Sequence, residues 1–136
     1  MSLAHPAPVA VPGAVADAIL AHAAAAAPRE ACGLLIGRDA MVQRAVAARN
    51  LATDPSRYEV APGDHFAAVR AAREDGLEVI GAYHSHPASP AVPSPTDRDA
   101  AFGGFLFVIA SPVPGPHLRA WTLHDGNFVE RPLVRT

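Results

Sequence analysis

The segment Ala31–Gly37 (A-C-G-L-L-I-G) limits most strongly how this chain can fold. It contains no charged or strongly polar side chain and it ends at a glycine, which is the pattern of a short buried strand. Arg38–Asp39 supplies a turn, and Met41–Ala48 returns as a second strand, so the two segments predict a β-hairpin. The core is therefore predicted to contain a sheet.

Two segments with helical spacing flank this hairpin. The first is rich in alanine and runs from near Pro12 to before Pro28; proline suits the first turn of a helix and breaks its interior. The second is Asp64–Asp75, where Asp64 is a candidate N-terminal cap and Gly76 a candidate stop. Both segments are predicted to pack on the sheet.

Further short segments predict more strands and a third, short helix. The strand candidates are Tyr58–Val60, Leu77–Tyr83, Phe105–Ala110, His117–Leu123 and Phe128–Val134. Asp125-Gly126 is a strong signal for a two-residue hairpin turn, and Thr96–Asp99 is expected to open the short helix with a capping-box pattern. Residues 1–11 are expected to form a loose tail and residues 12–136 one domain. This order predicts an α/β (α+β) fold with a mixed, mostly antiparallel sheet flanked by helices.

Composition excludes several classes of function. The 11 basic and 13 acidic residues give a net charge of −2, so a general electrostatic attraction to nucleic acid or to an anionic membrane is not expected. Every basic residue is arginine, which excludes a lysine Schiff base or a P-loop lysine. A single cysteine cannot form an intramolecular disulfide.

The apolar stretch Ala14–Ala27 is too short to span a bilayer, and no Arg or Lys precedes it as in a secretory signal. We therefore expect a cytoplasmic protein.

The best candidate for chemistry is the pair His84 and His86 at the end of a predicted strand. Residues i and i+2 of a strand point to the same side, so both imidazoles can converge on one metal ion. A proline-rich loop then leads to Asp97, whose carboxylate lies at the start of the short helix and can supply a third ligand. Two histidines and one aspartate leave a fourth position for water, as in catalytic rather than structural zinc sites. The remaining histidines are expected to be surface or capping residues.

A metal-activated water needs a base, and Glu30 is the candidate because it lies at the mouth of the buried strand. Taken by itself, a glutamate at that place is more simply a solvated strand end, so the sequence alone leaves both interpretations open.

These residues together resemble a known family. His84-x-His86-x7-Ser94-x2-Asp97, with an upstream Glu30 in P-R-E-A-C-G-L-L-I-G, is similar to the JAMM motif of the MPN+ metallopeptidases. The similarity extends from about Val15 to Val134, because N-L-A-T-D-P-S-R-Y-E-V, the second helix and G-A-Y-H-S-H-P lie where small bacterial members carry similar segments. It implies a cytidine-deaminase-like architecture.

The resemblance also implies a role for each matching residue. His84, His86 and Asp97 would hold Zn²⁺, Glu30 would take the proton of the water without being a ligand, and Ser94 would stabilise the oxyanion. Cys32 belongs to the motif of the first strand as a packing residue.

The family cleaves amide or isopeptide bonds after the C-terminal glycine of ubiquitin-like proteins. No long insertion lies between Val60 and Leu77 or between Asp97 and Phe105, so the elaborations with which eukaryotic deubiquitinases grip ubiquitin chains are absent. The resemblance therefore points to a small ubiquitin-like sulfur-carrier protein, or its amino-acid conjugate, as substrate. A zinc amidase acting on small peptides and a non-catalytic scaffold remain as alternatives, and the oligomeric state is open.

Overall fold

A computed structural model describes residues 7–100 and 105–136 of the chain. The helices are α1 (Gly13–Ala26), α2 (Pro62–Glu74) and α3 (Pro95–Ala100). The strands are β1 (Val9–Val11), β2 (Cys32–Arg38), β3 (Met41–Ala48), β4 (Glu78–Ser85), β5 (Leu106–Ser111), β6 (His117–His124), β7 (Asn127–Arg131) and β8 (Leu133–Arg135). None of the helices in these ranges has the length and apolar character needed to cross a lipid bilayer.

The strands of the described residues form one sheet in the order β7-β6-β5-β4-β2-β3-β1-β8. β4 pairs in parallel with β5, and β1 pairs in parallel with both β3 and β8. The pairs β2–β3, β2–β4, β5–β6 and β6–β7 are antiparallel. The predicted mixed, mostly antiparallel sheet is therefore confirmed, and β4, which carries the two candidate histidines, lies near its centre.

The helices α1 and α2 cover opposite faces of this sheet. On one face, Ile19 of α1 packs in a core that includes Leu35 and Val108. On the other, Ala68 of α2 packs in a second core with Leu34. Leu34 and Leu35 belong to different cores because successive side chains of a strand point to opposite faces. A strand covered on both faces has to be apolar throughout, which explains the continuous apolar run of β2.

The expectation of a loose tail through residue 11 needs correction at its C-terminal end. Val9–Val11 forms the strand β1 between β3 and β8, and Val9 and Val11 are buried at 1% and 0% exposure. The prolines at positions 8 and 12 obscured this short strand, whose hydrogen-bond partner β8 lies at the other end of the chain. The remainder of the predicted tail, residues 1–6, lies outside the described residues.

Three smaller expectations also differ from the structure. Tyr58–Val60 is not a strand, and only Val60 makes an isolated bridge, to Asn50. The predicted strand Phe128–Val134 is divided at Pro132 into β7 and β8, because proline cannot donate to a ladder. Asp64 does not cap α2, since its Oδ2 accepts hydrogen bonds from Arg49.

The turn prediction at Asp125-Gly126 is confirmed. Both residues have positive φ, 51° and 77°, which matches the backbone of a two-residue hairpin turn.

Candidate metal centre

The end of β4 delivers both candidate histidines to one place. His84 is paired on one side with Cys32 of β2 and on the other with Ile109 of β5, so its backbone is fixed from both neighbours. His86 follows the last residue of β4, and its N–H donates to the carbonyl of Ala110 at 2.9 Å, which continues the pairing with β5. Both side chains are buried.

A reciprocal cap at the start of α3 holds Asp97. The Ser94 N–H donates to Asp97 Oδ2 at 2.9 Å, and the Asp97 N–H donates to Ser94 Oγ at 3.0 Å. This is the geometry of a capping box, here with aspartate in place of the usual glutamate. A capping box is thus present, but Ser94 is its cap residue; the predicted cap, Thr96, lies inside α3. The Asp97 side chain is only 9% exposed, so its carboxylate is oriented before any ligand arrives.

The three predicted ligand atoms form a nearly equilateral triangle. His84 Nε2 and His86 Nε2 are 3.2 Å apart, and Asp97 Oδ2 lies 3.2 Å from the first and 3.1 Å from the second. An ion bound tetrahedrally at about 2.0–2.1 Å from each ligand separates its ligand atoms by about 3.3 Å. The triangle therefore has the dimensions of three corners of a zinc-type tetrahedron.

The protonation pattern around the triangle favours a bound cation. His86 Nδ1 lies 2.9 Å from the Pro90 carbonyl, and a carbonyl only accepts, so Nδ1 carries the proton and Nε2 keeps its lone pair in the neutral ring. Two electron-rich atoms, His86 Nε2 and Asp97 Oδ2, thus face each other 3.1 Å apart, and His84 Nε2 lies 3.2 Å from both. His84 Nδ1 is buried without a partner among the described residues. A cation between the three ligand atoms would pair with His84 Nε2, His86 Nε2 and Asp97 Oδ2 at once, and His84 would then carry its proton on Nδ1.

The pKa values of Asp97, His84 and His86 reflect burial and the hydrogen bonds among these three side chains. Burial is the largest effect on Asp97 and would raise its pKa, but hydrogen bonds with His84 and His86 hold it well below its usual range. Burial lowers the pKa of His84. Burial would also lower the pKa of His86, but the bonds to Asp97 and to the carbonyl of Pro90 outweigh burial, so the pKa of His86 is raised. Protons and metal therefore compete most directly at His86.

Glu30 lies beside this triangle. Cys32 pairs with His84 in the antiparallel register of β2 and β4, and continuing that register past Ala31 and Ser85 places Glu30 opposite His86. Ser85 enforces it, because its N–H donates to the Ala31 carbonyl at 3.1 Å and its Oγ accepts the Ala31 N–H at 2.7 Å.

The environment of Glu30 suits proton transfer. Its side chain is 7% exposed, and Oε1 is buried with no partner in the described part of the chain. Burial raises the pKa of Glu30 to about 7, with Asp97 adding to the shift and His86 opposing it. The carboxyl can therefore gain or lose a proton near neutral pH.

Ser94 has a hydroxyl proton available for another acceptor. Its Oγ accepts the Asp97 N–H, and no acceptor for its own proton is found among residues 7–100 and 105–136. The side chain is half-buried next to Asp97. A fixed O–H donor at this place can stabilise negative charge that develops on a substrate oxygen.

Sequence reasoning missed two residues that shape the centre. The Tyr58 ring stacks on His84, with centroids 4.3 Å apart and planes 16° apart, and burial raises the pKa of its hydroxyl. Asn50 Nδ2 donates to the carbonyls of Glu30 and Arg57, both at 3.0 Å, and so ties the loop to the mouth of β2. No local pattern signals either contact, because each joins segments distant in sequence.

The structure gives two other candidate groups roles outside the chemistry of the centre. His22 hydrogen-bonds the Tyr83 hydroxyl at 2.7 Å, on the α1 face of the sheet. Cys32 is fully buried, and burial raises the pKa of its thiol to about 11. A thiol held in its neutral form is a packing residue rather than a nucleophile.

The chain belongs to the family of prokaryotic homologues of the JAB domain. The model of that family matches residues 12–124, which confirms the resemblance drawn from the sequence.

Relatives of this chain are named as peptidases. A desampylase of Haloferax volcanii is 37% identical over 115 residues, covering 78% of this chain and 82% of the relative. A probable TtuB-protein conjugate cleaving protease of Thermus thermophilus is 35% identical over 120 residues, covering 88% and 78%. A CysO-cysteine peptidase of Mycobacterium tuberculosis is 33% identical over 123 residues, covering 86% and 84%. The class of enzyme expected from the sequence, a JAMM-type hydrolase, is confirmed by these names.

A solved structure agrees with the fold. The solution structure of a protein from Desulfitobacterium hafniense superimposes with a TM-score of 0.86 at 31% identity, covering 94% of this chain and 92% of that one.

Proposed function

We propose that this chain is a zinc-dependent isopeptidase that hydrolyses the amide bond after the C-terminal glycine of a ubiquitin-like sulfur-carrier protein. The observation that carries the proposal is the triangle of ligand atoms with a buried carboxyl beside it: His84, His86 and Asp97 are 3.1–3.2 Å apart at their ligand atoms, and Glu30 lies opposite His86.

The two imidazoles and one carboxylate suit zinc, since this ion accepts nitrogen and oxygen ligands and a fourth, open position. Zinc held there supplies a Lewis acid that lowers the pKa of a water toward neutrality and polarises the scissile carbonyl.

Glu30 acts as the proton carrier of the reaction. It accepts the proton of the attacking water and then passes it to the leaving amine. Burial raises the pKa of this carboxyl above its ordinary value, so the carboxyl holds the proton more firmly between the two transfers. The bond that breaks is the amide C–N bond, and the products are a carboxylate and an amine.

Ser94 stabilises the intermediate. Its Oγ–H donates to the former carbonyl oxygen as negative charge develops there. The capping bond from the Asp97 N–H fixes Oγ in advance, so no reorganisation is needed during the reaction.

The substrate assignment is supported by the relatives and by the surroundings of the centre. Conjugates of TtuB and CysO occur in the names of two relatives. A cavity of about 500 Å³ lies between the loop 51–59 and Thr96. Its walls include Tyr58, whose ring stacks on His84, so an extended segment bound there would contact Tyr58. The unpaired, buried thiol of Cys32 accords with the cytoplasm as the place of action.

The test uses a ubiquitin-like carrier whose C-terminal Gly-Gly is joined by an amide to cysteine. Purified protein with about one zinc per chain by elemental analysis is expected to release the carrier, as followed by mass spectrometry, and to stop in strong chelator. Unchanged release in chelator would contradict the metal mechanism.

A free Gly-Gly-Cys peptide tests the substrate class. Cleavage of the peptide as fast as of the conjugate would favour the small-peptide amidase, and cleavage of neither would favour the non-catalytic scaffold.

A further inference from the structure

The loop after His86 carries a contact on which the metal centre depends. The Pro90 carbonyl accepts from His86 Nδ1 at 2.9 Å, which turns Nε2 toward the ligand triangle. Residues 88–90 are exposed, so side-chain packing does not hold this carbonyl in place. Within the loop, the Val92 N–H also donates to it at 2.8 Å, so the rest of the fold can act on this carbonyl through the residues that flank it.

Ser111, the last residue of β5, holds the loop on one side of Pro90. Its Oγ donates to the carbonyl of Ser89 at 2.6 Å, a better partner for the single hydroxyl proton than the carbonyl of Val113 at 3.3 Å. Ser111 is 1% exposed, and its Oγ also accepts the Val113 N–H at 3.0 Å. The hydroxyl is thus fixed by its own environment before it holds the loop.

Trp121 of β6 holds the loop on the other side. Its Nε1–H donates to the carbonyl of Ala91 at 3.1 Å, and this bond is buried. The indole is set by a cluster on the α2 face of the sheet that includes Phe107 and Ile109. The donor is therefore carried on a rigid part of the fold.

We propose that Ser111 and Trp121 are positioning residues of the metal centre. By holding the carbonyls that flank Pro90, they fix the acceptor that orients the imidazole of His86. Neither residue is among the metal ligands. Removal of a group that orients a metal ligand through hydrogen bonds typically lowers metal affinity by about 10- to 100-fold. The inference rests on the proposed metal site, and it adds two residues that the family motif does not contain.

The experiment measures Zn²⁺ affinity by competition with a chromophoric chelator. Trp121→Phe keeps an aromatic ring in the cluster but removes the N–H, and Ser111→Ala removes the hydroxyl. Each is expected to weaken Zn²⁺ binding by about tenfold. Ser111→Thr keeps the hydroxyl and is expected to bind within about threefold of the wild type. The visible absorption of the Co²⁺-loaded protein, which reports ligand geometry, is expected to change in the first two variants only.

Phe128→Leu is the matched control for packing. Phe128 packs against the same cluster, with its ring 5.8 Å from Phe107, but it donates no side-chain hydrogen bond. It is expected to lower the melting temperature and to leave Zn²⁺ affinity unchanged. A loss of affinity equal to that of Trp121→Phe would overturn the inference, because packing alone would then explain the effect.

The outcomes separate this inference from the proposed function. A wild-type protein that binds no Zn²⁺ refutes the metal site itself. A wild type that binds Zn²⁺ tightly, with Trp121→Phe and Ser111→Ala equally tight, refutes only the positioning role. If Trp121→Phe does not fold, the Ser111→Ala and Ser111→Thr pair decides the question alone.

Discussion

Glu30 shows how much a single buried carboxyl can contribute to a site. Its Oε1 has no partner among the described groups, and a buried polar atom left unpaired costs about 1–3 kcal/mol. The fold tolerates that cost at the place where a proton carrier is needed, which is typical of functional rather than structural residues.

Glu30→Gln is expected to separate catalysis from metal binding. The amide keeps the shape of the carboxyl but cannot accept the proton of the water, so kcat is expected to fall by roughly 10²–10⁴. Zinc content is expected to remain near one per chain, and kcat and kcat/KM should fall together because the loss lies in the transition state. Steady-state kinetics and elemental analysis on the same sample check this. Loss of zinc would instead make Glu30 a ligand, and unchanged turnover would show that Glu30 takes no part in proton transfer.

The same residue is expected to make the stability of the metal-free protein depend on pH. Folding raises the pKa of Glu30 from 4.5 to about 7, so the folded state binds the proton more tightly than the unfolded chain does. The resulting stabilisation is fully present below about pH 4.5 and is lost as the pH rises through about 7. At pH 8 the charged carboxyl therefore costs up to about 3 kcal/mol.

Glu30→Gln removes that titration. In chelator, the free energy of unfolding of the variant is expected to rise relative to that of the wild type as the pH rises from 5 to 8. Urea denaturation at each pH measures both values. A difference between the two proteins that stays constant over this range would show that Glu30 does not titrate there.

At the scale of the element, β4 depends on a close approach to its parallel neighbour β5. A Cβ on Gly81 would lie 2.1 Å from the carbonyl oxygen of Leu106, far inside van der Waals contact with backbone that cannot turn away. The strand that ends in His84 and His86 therefore requires glycine at this position.

Gly81→Ala is expected to destabilise the fold by about 2–4 kcal/mol, as overpacked sites do. Gly63→Ala is the matched control in α2, where the nearest atom, the end of the Arg49 side chain, lies 4.0 Å from the new Cβ; it is expected to be neutral or to stabilise by up to about 1 kcal/mol. Urea denaturation measures the free energy of unfolding of both variants. Equal stabilities would show that the β4–β5 spacing can relax.

Local pattern predicted most elements, and it failed where partners lie far apart in sequence. The apolar run of β2, the Asp125-Gly126 turn and the i,i+2 spacing of His84 and His86 are all local signals. The strand Val9–Val11 is different, because it forms by pairing with β3 and β8, and β8 lies more than 120 residues away in the chain. The stacking of Tyr58 on His84 is hidden for the same reason.

At the scale of the whole molecule, the metal links segments that the chain brings together only on folding. His84 and His86 come from the end of β4, whereas Asp97 comes from the start of α3, and the triangle does not exist in the unfolded chain. A ligand that binds only the folded state stabilises it by about 2.7 kcal/mol at 100 times its dissociation constant. The metal should therefore raise the stability of the entire domain rather than of one loop.

Zinc at that excess is expected to raise the melting temperature by about 10 °C at pH 7.5. The gain should fade as the pH falls through about 6, because protons then compete for the imidazoles, first at His86, whose pKa is raised. Thermal unfolding with zinc and with chelator across this pH range measures the effect. The double variant His84→Ala/His86→Ala is the control, and it is expected to unfold at the same temperature with and without zinc. A wild-type melting temperature that zinc does not change at pH 7.5 would mean that these three side chains hold no metal. An ion that joins β4 to α3 in the folded state cannot bind there without stabilising that state.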